Sequence, residues 1–136
     1  MEKLLYTATA TSTGARSGTV STSDGLVRHE LSTPGTGGGK TNPEQLFACG
    51  YSACFGSAVD FVARQKQLEL SSIRITAHVS LGTTAAGGFA LATKLVVRLG
   101  GVTTEVATAL AHAAHQVCPY SAATRGNMPV EITVEG

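Results

Sequence analysis

The longest unbroken apolar pattern in the chain runs from residue 42 to residue 66. Asn42 is a good helix N-cap, and Pro43 suits the first helical position, where its missing N–H is not needed. Glu44 puts an anion in the first turn, and Gln45 fits the third position of a capping box. Beyond them Leu46, Phe47, Ala48, Cys49, Tyr51, Ala53, Cys54, Phe55, Ala58, Val59, Phe61 and Val62 make the helix apolar nearly all round. Such a helix is buried rather than laid on a surface. Gly50, Ser52, Ala53, Gly56, Ser57 and Ala58 let another backbone come close. Only Arg64 to Gln67 reads as wet.

Elsewhere the pattern has the period of two expected of strands. Residues 4–12 alternate and predict a strand. A loop over 13–18 carries Arg16 between Gly14 and Gly18. Residues 18–23 and 26–31 predict two more strands about a Ser23-Asp24-Gly25 turn. A glycine-rich loop, 34–39, leads to the helix; it lacks phosphate-loop spacing. After the helix, 73–81 and 89–99 predict a hairpin, and Thr103 caps a second helix with Val106, Ala109, Leu110, Ala113, Ala114 and Val117 as its stripe. Cys118-Pro119 ends that helix, 119–124 forms one short helical stretch, and 130–134 is a final strand. The order β-β-β-α-β-β-α-β without repeats or linkers predicts one α+β domain over residues 1–136. Its antiparallel sheets wrap around a long central helix.

Composition adds a constraint on assembly. A chain of 136 residues builds one core, but a helix buried on every side is a great deal for it to cover. That predicts burial against a second copy, a homodimer. The net charge of +1, with no basic run, excludes nucleic acid as an expected partner. The start Met1-Glu2-Lys3-Leu4-Leu5 is too short and too quickly polar for a signal peptide. The central segment is interrupted by Ser, Gly and Asp60, so no membrane span is expected either. The chain reads as cytoplasmic. In that compartment its three cysteines are ligands, nucleophiles or core filler rather than a disulfide framework.

Four residues are candidates for chemistry. Cys118 stands before a proline at the start of a helical turn, where unpaired N–H groups and the helix dipole favour a thiolate; the bland alternative is a buried helix terminator. Cys54 lies three turns inside the long helix, where burial alone makes a thiol inert. Core filler is its default role unless a cation arrives from elsewhere. Arg64, about 15 Å along the helix, is too far. Arg16 in its glycine-flanked loop is the best candidate, and a solvated loop arginine is the alternative. Glu44 has a sufficient role as a first-turn acid, yet a carboxylate also holds a guanidinium bidentately. Glu44 and Cys54 are themselves about 15 Å apart on a straight helix. If both meet Arg16, either the helix breaks near Gly50 or Glu44 comes from a second chain. Cys49, about 140° around the helix from Cys54, reads as packing. His112, His115 and Cys118 are spaced like a metal face but lack a fourth ligand in register; a histidine favoured by the helix C-terminus is the simpler reading.

Three stretches carry a resemblance over essentially the whole chain. Asn42-Pro43-Glu44-Gln45-Leu46-Phe47, Gly50-Tyr51-Ser52-Ala53-Cys54-Phe55 and Val117-Cys118-Pro119-Tyr120-Ser121 through Asn127 closely resemble the organic hydroperoxide resistance proteins, one branch of the OsmC family. The opening Leu5 to Ala10 and the Gly14-Ala15-Arg16-Ser17-Gly18 loop match as well. The resemblance implies an intertwined homodimer with the sites at its interface. It assigns Cys54 as peroxidatic nucleophile, Cys118 as the resolving cysteine of an intramolecular disulfide, and Arg16 with Glu44 as activators of the thiol. It further implies alkyl or fatty-acid hydroperoxides as substrates, dihydrolipoamide or lipoylated proteins as reductant, and no metal or cofactor. The apolar neighbours Leu46, Phe47 and Phe55 would favour a greasy alkyl tail. This chain departs from the pattern in a short loop between Thr33 and Lys40 and in Cys49, where alanine is expected. An OsmC-branch peroxidase, a non-enzymatic redox sensor using the same cysteine pair, and a zinc protein using His112, His115 and Cys118 are the rival readings.

Overall fold

The computed structural model describes all of residues 1–136, and the chain divides into two compact units, Met1–Leu46 and Phe47–Gly136. In the first unit, strands β1 (Ala10–Thr13), β2 (Thr19–Thr22) and β3 (Arg28–Glu30) form an antiparallel sheet in that order. A single 3-10 turn, Ala15–Ser17, joins β1 to β2. The β2–β3 turn follows its sequence signal: Asp24 Oδ1 accepts from Leu26 N at 3.0 Å and Thr22 Oγ1 at 2.7 Å, and Gly25 takes a positive φ of 75°.

The first strand is shorter than its alternating pattern. Residues 4–9 lie outside the sheet, and Leu4, Leu5 and Tyr6 are exposed. Alternation selects which face is apolar; it does not supply the neighbouring strand whose hydrogen bonds define a ladder. Leu31 and Asn42 are the only buried residues of this unit, so its sheet has almost no core.

The long helix α1 spans Pro43–Gln65 without a break, and the division between the units falls within it. Asn42 caps it as expected, its Oδ1 accepting from Gln45 N at 2.9 Å. The other half of the capping box is absent, because Gln45 Oε1 accepts instead from Thr41 Oγ1 at 2.7 Å. The expectation of burial on every side does not hold for the single chain. Tyr51, Phe55, Ala58, Val59, Val62 and Ala63 are buried, while Cys49, Ala53, Ser57 and Phe61 form an exposed ridge at spacing four. By length and composition α1 is also apolar enough to cross a membrane, contrary to the sequence reading, but its buried face packs into the core of the second unit.

That core is built on β4 (Ser72–Thr83), β5 (Phe89–Gly100), β6 (Val130–Glu135) and helix α2 (Thr104–Val117). Alternation on β5 buries Leu95, Val97 and Leu99, and the stripe of α2 buries Ala107, Leu110, Ala111 and Ala114. Thr103 caps α2 as predicted, its Oγ1 accepting from Val106 N at 3.2 Å. β4 and β5 pair antiparallel, with Ile75 opposite Val97. β6 corrects the all-antiparallel expectation, because it runs parallel to β5, with Leu95 opposite Ile132. The reason is the connection: a helical crossover returns the chain to the starting end of β5, and only a parallel strand can follow.

Candidate active site

The Arg16 loop is shaped by sterics before it is shaped by charge. A Cβ on Gly18 would sit 1.7 Å from the Thr13 carbonyl oxygen, so no side chain fits there. Gly14 takes φ 82°, and Ala15, with φ 52°, stands in the left-handed region unusual for a residue with a side chain. This tight turn presents Arg16, whose Nη1 and Nη2 donate to the two carboxylate oxygens of Glu44 at 3.0 and 2.5 Å. The pair is a two-point fork, the geometry that a guanidinium offers a carboxylate. The guanidinium holds the Glu44 carboxyl below the usual carboxylate range, against the opposing pull of burial. Arg16 and Glu44 therefore meet within one chain, 28 residues apart.

The two cysteines of interest meet in the second unit. Cys118 is fully buried and Cys54 half-buried, and their sulfurs are 3.6 Å apart, although 64 residues separate them in sequence. A disulfide is about 2.05 Å long, so two free thiols sit in contact and need only a short closure to bond. Cys118 is at once the C-cap of α2 and the N-cap of α3 (Pro119–Thr124). Its thiol makes no capping bond, however. Burial is the larger influence and pushes the Cys54 thiol above its ordinary range; the Tyr120 backbone, at the N-terminus of α3, favours the thiolate and pulls it down, and the neighbouring Cys118 thiol pushes it up.

A polar chain that sequence reasoning missed lies beside this pair. Tyr51 Oη is 2.8 Å from Ser121 Oγ, which is 2.7 Å from His115 Nδ1. Tyr51 and Ser121 are fully buried. Stranding either hydroxyl without a partner costs about 1–3 kcal/mol. The only advance signals were a tyrosine in an apolar helix and a histidine assigned elsewhere. Burial, then the charges of Arg125 and His112, hold His115 below its ordinary range, so it is neutral near pH 7. This corrects the reading of a histidine cation at the end of α2; that charge is supplied by Arg125, whose Nη2 donates to the His115 carbonyl at 2.6 Å. No group of three or more His, Cys, Asp or Glu side chains is placed to hold a metal ion, so the spacing of His112, His115 and Cys118 does not build a zinc site.

The remaining candidates separate by depth. Phe55 is fully buried among core residues, whereas Leu46 and Phe47 are half-buried. Phe47 packs edge-on against Tyr51 at 5.9 Å between ring centroids, and Tyr120 closes the cluster at 5.7 Å from Tyr51. Gly50 makes room for this, since a Cβ there would lie 2.7 Å from Tyr120 Oη. Cys49, read as packing, is exposed in the single chain.

Two thiols in contact in the second unit and a forked arginine in the first are the chemistry-bearing groups of the chain. The OsmC-like protein family model matches residues 35–133. An organic hydroperoxide resistance protein of Xanthomonas axonopodis pv. citri is 46% identical, the match covering 98% of this chain and 96% of the relative. Among solved structures, an organic hydroperoxide resistance protein of Legionella pneumophila is 45% identical with a TM-score of 0.94, covering 98% of this chain and 100% of that one. OhrB of Bacillus subtilis is 40% identical with a TM-score of 0.91, covering 97% and 100%. The chain belongs to the OsmC family, in its organic hydroperoxide resistance branch.

Proposed function

We propose that this protein is a thiol peroxidase that reduces organic hydroperoxides to alcohols, with Cys54 as nucleophile and Cys118 as its resolving partner. The observation that carries the reading is the contact of the two sulfurs at 3.6 Å, in a family whose named relatives confer organic hydroperoxide resistance. The Cys54 thiolate attacks one peroxide oxygen, the O–O bond breaks, and the alkoxide leaves and is protonated to the alcohol. Cys54 is left as sulfenic acid. The Cys118 sulfur then attacks the Cys54 sulfur, the S–O bond breaks, and the hydroxyl departs as water. A dithiol of the dihydrolipoyl type reduces the disulfide by exchange. The half-buried Leu46 and Phe47 offer the apolar surface for an alkyl tail. Free thiols that must be re-reduced in each cycle fit a cytoplasmic location.

A half-buried Cys54 whose thiol is pushed up in the single chain needs a cation. Arg16 is committed to Glu44 of its own chain, and α1 is unbroken, so Glu44 and Cys54 are about 15 Å apart along one axis. The unbroken helix speaks against a break at Gly50 and supports a homodimer in which the Arg16–Glu44 pair of one protomer serves Cys54 of the other. Two features support it: the exposed ridge Cys49, Ala53, Ser57 and Phe61 on α1, and a first unit whose Leu4, Leu5 and Tyr6 lack cover. Exposed apolar surface of this kind marks an interface.

Rapid mixing with tert-butyl hydroperoxide and with hydrogen peroxide, followed by disulfide mapping, tests the proposal. Faster oxidation by the organic peroxide and a Cys54–Cys118 disulfide are expected. Stoichiometric oxidation without turnover on dihydrolipoamide would instead indicate a sensor. Cys118→Ser is expected to complete one fast turnover and then stall at the sulfenic acid. Steady-state turnover equal to that of the unaltered protein would remove the resolving role.

A further inference from the structure

The Cys54–Cys118 disulfide forms only if α3 stays where it is, and α3 has little hold of its own. It is six residues long, too short to be stable as an isolated helix. What ties it down is side-chain chemistry. Ser121, in its first turn, bonds both Tyr51 on α1 and His115 on α2. At its far end Arg125 reaches back to the His115 carbonyl. Cys54 rides on the same helix as Tyr51, one turn further on, while Cys118 leads directly into α3. The polar chain thus spans the three elements that carry the two sulfurs.

The direction of the chain follows the His115 tautomer: Ser121 donates to Nδ1 and accepts from the Tyr51 hydroxyl, or accepts from Nδ1–H and donates to Tyr51. Arg125 and His112 are the charged or titratable groups acting on His115. Each member then has a partner, and no buried side-chain polar atom in the chain is left without one. A half-made version leaves a buried hydroxyl stranded, which gives the network its stiffness.

We infer that Tyr51, Ser121 and His115 are positioning residues for disulfide formation, a strut that keeps Cys118 within bonding reach of the Cys54 sulfenic acid. The inference rests on the proposed Cys54–Cys118 chemistry. The strut does not bond the reacting sulfurs, so it acts mainly on the second step of the cycle; the first feels it only through the Tyr120 backbone beside Cys54.

Tyr51→Phe is the sharpest probe, because it keeps the ring and removes one oxygen. The first step is read in a Cys118→Ser background as the rate of Cys54 oxidation by tert-butyl hydroperoxide. The second is read with Cys118 present, by trapping the sulfenic acid with dimedone and following disulfide by mass. Tyr51→Phe and Ser121→Ala are expected to slow the first step far less than the second. They are expected to slow disulfide formation about tenfold to a hundredfold, the usual penalty of a misplaced reacting group. His115→Asn, whose amide replaces Nδ1, is expected to recover most of the rate that His115→Leu loses. Disulfide formation at the unaltered rate, both steps falling in proportion, or Asn no better than Leu would each overturn the strut. Absence of the disulfide in the unaltered protein would instead overturn the underlying chemistry, and the strut with it.

Discussion

Replacing Cys54 with serine is expected to abolish hydroperoxide reduction, including the first turnover. A thiolate is polarisable and accessible near neutral pH, whereas a serine hydroxyl is neither, and it cannot pass through a sulfenic acid. Loss of an enzymatic nucleophile typically costs on the order of 10^4-fold or more. Both dihydrolipoamide-coupled turnover and rapid-mixing oxidation are expected to fall to the uncatalysed level. Cys118 is a poor substitute, because it is fully enclosed. Cys49 is exposed but has no resolving partner at contact distance. Turnover surviving in the Cys54→Ser protein would move the nucleophile to one of these thiols.

Arg16→Ala carries the second-largest expected effect. Cys54 lies in surroundings that push its thiol up through burial, and the Tyr120 backbone offsets only part of that. The attacking form is the thiolate, which is populated above the thiol pKa. Removing a cation that lowers the pKa therefore delays ionisation to more alkaline pH. The rate of peroxide attack is expected to drop about 10²–10³-fold near neutrality, the scale of losing one preorganised electrostatic group. Its pH profile is expected to climb through the alkaline range, narrowing the deficit without closing it, since peroxide polarisation is lost too. The acid side has a different sign. Glu44 is held below the usual carboxylate range, so the Arg16–Glu44 clamp is intact above that range and is released only as pH falls through the lowered value. Unaltered attack kinetics in Arg16→Ala would mean that another cation serves Cys54.

Local chemistry was legible where a local rule decides it. The caps at Asn42 and Thr103 and the Asp24–Gly25 turn each depend on residues within a few positions, and each formed as read. The loop glycines around Arg16 were readable as freedom, although the 1.7 Å collision at Gly18 is visible only in three dimensions. Features set by distant partners were not legible. Alternation at residues 4–9 marked an extended segment but could not supply its neighbour. The direction of β6 depends on a crossover, not on its own sequence. The dipole argument placed a cation at the end of α2 and was right about the charge, yet burial neutralised His115 and Arg125 took its place. The same applies to the thiols: helix-terminus reasoning favoured the Cys118 thiolate, whereas the Cys118 thiol makes no cap bond and the α3 backbone at Tyr120 favours the Cys54 thiolate. The meeting of two sulfurs 64 residues apart was available only through family resemblance.

The central claim is that the guanidinium serving each Cys54 comes from the partner protomer, and subunit mixing tests it most directly. Arg16→Ala and Cys54→Ser proteins, each inactive alone, are exchanged at equal concentration and assayed with tert-butyl hydroperoxide. A two-fold dimer with random exchange then contains one intact site in each heterodimer, so about one quarter of the normal activity returns. No recovery, with heterodimers verified by mass, would contradict the account and return Arg16 to the Cys54 of its own chain.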